Sequence, residues 1–204
     1  MILGLLVGAD VAVRRTAEAQ LRDRVVAAVQ PAGSTSARIE SFPFLGRLLT
    51  SGTISRIRIS TAGVTAQGLT FALVSLDLEG VTFDRGTLLS ERKVVLKSLA
   101  HGTAVAEVTQ ERLSEVLGVP VTLDSDRIRV RVAGQLINAT ASVSDNTLKV
   151  TVAGLSVPAL RIPKLSLLPC VAGAVVLPGR IRLSCQVDQL PAELLGRPLA
   201  TVGH

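Results

Sequence analysis

The residues best able to do chemistry by type and spacing are Asp124-Ser125-Asp126. A D-x-D pair supplies carboxylate oxygens for a divalent metal and, through it, for a nucleotide-sugar diphosphate. Here the triplet lies between Val121-Thr122-Leu123 and a strictly alternating run from Arg127 to Val132. Asp and Ser also make turns by bonding nearby backbone. The expected role is therefore a hairpin turn, with sugar transfer through Asp124 and Asp126 as the enzymatic alternative. Histidine catalysis would fall to His101, inside an extended run, without a Ser or Cys nucleophile motif beside it. There is no G-x-S-x-G elbow and no glycine-rich phosphate loop. Cys170 and Cys185 fit no zinc spacing. They read either as two buried thiols in a reducing compartment or as one disulfide in an oxidising one. The expectation is a protein with no catalytic residue, metal or cofactor.

The elements that must position any site are mostly strands. Asp10 to Gln30 has Val13, Ala17, Leu21, Val25 and Ala28 at helical spacing, and Pro31 and Gly33 stop it. Before it, Met1 to Ala9 is apolar but far shorter than the about 20 residues that span a bilayer. The expectation is a residual signal or anchor tip over 1–9 and a single domain over 10–204. Arg38 to Phe42 reads as a short strand. Further on, Leu69, Phe71 and Leu73 share one phase, while Val74, Leu76 and Leu78 take the other. After Gly80, Val81 and Phe83 return to the first. Such flips mean a β-bulge or a strand buried on both faces, and bulges bend sheets. Lys93 to Val108 is extended. Thr109 caps a short helix over Gln110–Leu117, which Gly118 stops. Arg127–Val132, Ile137–Val143 and Leu148–Val152 form an antiparallel meander. Leu155–Pro169 is a proline-interrupted loop or edge. Arg180–Val187 is a strand with Ile181, Leu183, Cys185 and Val187 inward, and Pro191–Leu195 a terminal helix. Asp84–Gly86 is a turn.

Composition narrows the class. Hydrophobic residues make up 48% of the 204-residue chain and aromatic residues 2%, so the core is aliphatic. The net charge of +6 favours anionic partners. Nucleic acid is disfavoured, because no basic run reaches five residues and no aromatics interleave with the arginines to stack bases. The arginine rows at Arg127/Arg129/Arg131 and Arg180/Arg182 read as solvated sheet faces.

The organising stretch is Ile39 to Ser60. Phe42-Pro43-Phe44 leads through Leu45, Leu48 and Leu49 to Gly52, then Ile57 and Ile59 alternate with Arg56 and Arg58. It reads as an apolar loop feeding a half-buried strand with a cationic outer face. This run, with Gly8-Ala9-Asp10 before it and Gly63-Val64, Leu69 and Val74-x-Leu76-x-Leu78-x-Gly80-Val81 after it, resembles the LmeA-like phospholipid-binding proteins of actinobacteria. The likeness extends over Gly8 to Leu195 and is densest in Ile39 to Val81.

The resemblance implies an α+β fold: a strongly curved antiparallel β-sheet wrapped around a long N-terminal helix, a TULIP-like half-module with short additional helices. It implies an exported or anchored cell-envelope protein in the periplasmic space, which favours a Cys170–Cys185 disulfide. The implied function is non-catalytic phospholipid binding that supports mannan or lipomannan assembly or envelope-lipid assembly. The implied partners are phospholipid, the membrane surface and an envelope glycosyltransferase. Phe42, Phe44, Leu45, Leu48 and Leu49 would form a pocket mouth, and Phe71, Leu76, Leu78 and Phe83 its lining. Arg47, Arg56 and Arg58 would face phosphate at the rim. The alternative to an internal lipid is a solid-cored scaffold that docks on a membrane or an enzyme.

Overall fold

A computed structural model describes residues 2–66, 68–91, 93–144, 147–152, 155–156, 160–161, 173–188 and 198–201. The chain opens with one continuous helix, α1 (Ile2–Val29). The apolar tip and the amphipathic segment are thus a single element. Asp10, the expected start of the helix, lies within it instead, buried and bonded to a distant segment. A short edge strand, β1 (Thr35–Glu40), follows. The expected apolar loop is instead a helix, α2 (Phe44–Thr50), preceded by Pro43.

β2 (Thr53–Ala66) and β3 (Leu69–Phe83) form a long antiparallel hairpin. Asp84 starts the short helix α3 (Arg85–Ser90), its Oδ1 accepting from Thr87 N at 3.0 Å, where the sequence predicts only a turn. β4 (Lys93–Ser98) and β5 (His101–Thr109) make up the expected extended run, broken only at Leu99-Ala100. Thr109 accepts from Arg112 N at the start of α4 (Gln110–Leu117), and Gly118 ends that helix at φ 66°, as the sequence predicts. Then come β6 (Val121–Asp124), β7 (Arg127–Val132), β8 (Gln135–Ser144) and β9 (Thr147–Val152), with short β10 (Leu155–Ser156) and β11 (Leu160–Arg161). β12 (Gly173–Leu177), β13 (Arg180–Val187) and β14 (Pro198–Thr201) complete the described strands. The predicted helix at Pro191–Leu195 lies outside the described residues.

The fold is α+β and its sheets are antiparallel. The larger sheet runs β1-β2-β3-β5-β13-β12, with β4 also on β3 and β14 on β4. It is open, with β1 and β12 at its ends. The predicted meander is β7-β8-β9 in a second sheet that also holds β6, β10 and β11. Helix α1 lies along β1 and touches α2 and β2.

The phase flips read from the sequence are real, but no residue is inserted to make them. The β2–β3 ladder keeps one register from Thr53↔Thr82 to Ala66↔Leu69. Two rungs drop out of it, Ser55/Gly80 and Gly63/Ala72. At each, the glycine adopts positive φ, 60° at Gly80 and 68° at Gly63. That conformation is open to glycine without a Cβ penalty. The core-facing set therefore changes from Ile54 and Val81 to Ile57 and Leu78, and later to Val64 and Phe71. Between the two glycines, Leu73 to Glu79 is half-buried on both faces, the second of the two expected outcomes. Gly80 also meets the β4–β5 break. Ala100 N donates to Glu79 O at 3.1 Å, and a Cβ on Gly80 would lie 2.6 Å from Ala100 Cβ.

Two main cores result. One joins Leu69 and Phe71 of β3 to Val108, Leu113, Ile181 and the inward residues of β6 and β7. This contact packs the second sheet and α4 on the first. The other gathers Ile39, Phe44, Ile54, Ile57, Val81 and Leu99 beside Ala17 and Leu21 of α1.

Candidate functional site

Helix α1 grips the organising stretch with two carboxylates. Asp10, 5% exposed, accepts from Phe44 N at 2.9 Å and from Leu45 N at 2.6 Å. It thereby caps α2, whose own preceding residue, Pro43, supplies no side-chain bond. Two turns further along, Glu18 Oε1 accepts from Ile39 N at 2.8 Å, so α1 also satisfies the outer edge of β1. Sequence reasoning missed both. Asp10 reads there only as the first residue after an apolar tip. The available signal was weak, because eight residues place Asp10 and Glu18 about two turns apart and roughly 80° around the helix.

The nine apolar site candidates divide among four settings. Phe44, Leu45, Leu48, Leu78 and Phe83 come together in the core beneath α1 and α2. Phe71 belongs to the other core, 2% exposed. Leu76 packs on a small cluster of Ala104, Cys185 and Val187. Phe42 and Leu49 stand out at 63% and 48% exposed. The rows that link the two cores lie on one face of the large sheet. Register places Ile59 opposite Leu76, Leu76 opposite Ala104, and Ala104 opposite Cys185. Val74 and Leu78 flank Leu76 on the same face. Ile59, Val74, Leu76 and Leu78 are half-buried. A continuous apolar strip thus runs from core to core with its middle only partly covered.

The other face of the same strands is ionic and internally balanced. Arg56 bonds Asp77 through Nε at 2.7 Å and reaches Glu79 at 3.1 Å. Arg58 pairs with Glu40 at 2.9 Å and with Asp77 at 3.3 Å. Arg180 and Arg182 both pair with buried Glu107, at 3.3 and 2.9 Å. The strand face read as cationic is therefore neutralised, and the Arg56 and Arg58 candidates are engaged by carboxylates. Arg47 donates to Ser55 Oγ.

The Arg56 guanidinium, through its hydrogen bond, holds the Asp77 carboxyl below the usual carboxylate range. Attraction to Arg56 and Arg58 adds to this, against an opposing effect of burial. A depressed folded value stabilises the protein above the unfolded carboxylate pKa of about 3.9 and ceases to do so as pH falls through the folded value. Asp77→Asn should therefore lower stability at pH 7 and flatten its decline below about pH 4. Urea midpoints measured from pH 7 to pH 2 check this, and parallel curves for the two proteins would refute it.

Asp124-Ser125-Asp126 forms the β6–β7 turn, with Asp126 at φ 59° and Asp124 paired to Arg129. Among the described residues, no group of three or more His, Cys, Asp or Glu side chains is placed to hold a metal. His101 has neighbours that the sequence conceals. Its Nδ1 lies 2.6 Å from Asp188 Oδ1, and Thr103 Oγ1 lies 3.2 Å from its Nε2. The order carboxylate–imidazole–hydroxyl is that of a hydrolytic triad. It stands on the open ionic face, with Asp188 81% exposed, so solvent screens the pair. Cys185 is buried in β13 and disulfide-bonded, and Cys170 lies outside the described residues.

At the end of the molecule that carries α2, exposed Phe42 and Leu49 are joined by Leu89 on α3, 59% exposed. Arg85 Nη1 donates to Thr50 O and ties the two helices together. This end presents apolar side chains beside Arg47 and Arg85. No described helix is long and apolar enough to cross a membrane.

One helix latched to an open antiparallel sheet, with a half-covered apolar strip along one sheet face, defines an α+β protein. The LmeA-like phospholipid-binding family matches residues 8–197, and the chain belongs to that family. Its role is lipid binding, with phospholipid as the partner class. No curated protein and no solved structure matches the chain.

Proposed function

We propose that the chain binds phospholipid without catalysis and lays acyl chains along the strip of Ile59, Val74, Leu76 and Leu78. The continuity of this strip from core to core carries the reading. Aliphatic walls accept acyl chains with no hydrogen-bond demand, and each buried methylene contributes about 0.8 kcal/mol before ordering costs. The apolar-cationic end formed by Phe42, Leu49, Leu89, Arg47 and Arg85 serves as the membrane-facing surface. The protein works in the cell envelope outside the cytoplasmic membrane. A disulfide at Cys185 suits that oxidising setting. There it supports lipoglycan (mannan and lipomannan) or envelope-lipid assembly beside an envelope glycosyltransferase. Native mass spectrometry of the purified protein tests the reading. Phospholipid adducts should be present in the wild type and absent from Leu76→Asp. A wild-type protein that is lipid-free even after incubation with phospholipid vesicles would overturn it in favour of a scaffold.

A second reading, ester hydrolysis, is favoured by the Asp188–His101–Thr103 arrangement alone. Release of p-nitrophenol from a p-nitrophenyl acyl ester, lost in both Thr103→Val and His101→Gln, would support it. Turnover equal to the buffer rate would remove it.

A further inference from the structure

Arg56 and Arg58, expected at the phosphate rim, are paired with carboxylates, whereas other arginines stand without acidic partners among the described residues. A groove of about 280 Å³ lies between α1 and the free edge of β1, lined by Arg15, Arg22, Ala19, Thr35 and Arg38 among others. Arg15 and Arg22 are seven residues apart, two turns along one helix face. Ala19 lies between them, and its single methyl leaves room above the helix backbone. Arg38 approaches from β1. Neither Arg15 nor Arg38 has a hydrogen-bonding or ion-pair partner among the described residues. Among the described residues, Arg22 bonds only exposed Asp23 beside it. The groove's own carboxylate, Glu18, is engaged by Ile39 N at 2.8 Å and faces Arg14 Nε at 4.0 Å.

One further feature faces the same place. β1 pairs with β2 on one side only, and Ile39 N points to α1. The Ala37 N–H, two residues earlier, points the same way.

The geometry points to a phosphate-binding groove between α1 and β1, in which Arg15, Arg22 and Arg38 hold the oxygens and the outward Ala37 N–H donates to one of them. Guanidinium groups suit this task because their planar N–H pairs match two oxygens of a phosphate at once. The phosphate belongs either to a lipid headgroup or to a free phosphate compound. The inference rests on the phospholipid reading only for that choice of source. The groove opens at the sheet edge, apart from the row of Leu76.

Calorimetric titration with inorganic phosphate at fixed ionic strength tests the groove, and vesicles with and without phosphatidylglycerol test the source. Arg15→Gln/Arg38→Gln should weaken phosphate binding by roughly tenfold or more. A parallel loss on phosphatidylglycerol vesicles assigns the phosphate to a headgroup. Unchanged vesicle binding assigns it to a free compound. Phosphate binding that chloride displaces equally well, or that survives in the double variant, overturns the site. Lipid adducts by mass spectrometry report separately on the strip, so a failed groove and a failed phospholipid reading give different results.

Discussion

Asp10→Ala is expected to destabilise the protein by about 2–4 kcal/mol, because it strands two backbone donors at once. The Phe44 and Leu45 N–H groups have the Asp10 carboxylate as their partner, and Pro43 offers no substitute. Phe44 is 4% exposed, so water cannot satisfy its donor without opening the core. At a chain length near 200 residues, each kcal/mol moves the melting temperature by about 2–4 °C, so a fall on the order of 10 °C is expected. Asp10→Asn should fall between the two proteins, since an amide keeps one acceptor oxygen. Thermal unfolding checks the magnitude, and limited proteolysis should show new cleavage near Phe42 to Gly52 in Asp10→Ala. An Asp10→Ala protein with an unaltered melting temperature and cleavage pattern would show that the latch contributes nothing.

Leu76→Asp should abolish phospholipid retention while leaving vesicle docking largely intact, and Phe42→Asp/Leu49→Asp should do the reverse. Leu76 sits midway along the strip, where a carboxylate would have to lose water against an acyl chain. Phe42 and Leu49 already face solvent, so charging them leaves the cores unchanged. Removing a Phe and a Leu from a bilayer interface forgoes about 3 kcal/mol, or roughly a hundredfold in vesicle partitioning. Phe44 is unsuited to the test, because it is a core residue and its substitution would report on folding. Vesicle flotation and native mass spectrometry, with circular dichroism to verify the fold, give the two readouts. Loss of both functions in both variants would show that strip and patch are one site.

Much of the fold was legible because its signals are local. Alternation in Arg127–Val132 and Arg180–Val187 gave strands with the expected inward sets. Thr109 and Gly118 bracketed α4. The phase flips of β3 were visible too, but their cause was not. A bulge and a positive-φ glycine leave the same trace in one strand, and only the partner strand's register tells them apart. The site was legible in part. Phe44, Leu45, Leu48, Leu78 and Phe83 do assemble, yet Phe71 falls in the other core, because the Gly63 flip redirects that end of the hairpin. Three facts hid from the sequence because each depends on residues far along the chain. Asp10 reaches across 34 residues, Arg56 and Arg58 find acids on β1 and β3, and His101 meets Asp188 87 positions later.

The pairing of β5 sets an order on how the molecule can be made. β5 lies between β3, which precedes it in the chain, and β13, whose last paired residue is Val187. As the nascent chain grows from its N-terminus, α1, β1, β2 and β3 can assemble early around contacts already synthesised. The second edge of β5, from Gly102 to Thr109, stays bare until β13 has emerged. A bare strand edge of this length is a template for pairing with other chains. The vulnerable period in the life of this protein is therefore the interval between making β5 and making β13. Truncations that end before Arg180 should aggregate even though they contain both carboxylates of the latch and the whole stretch they hold.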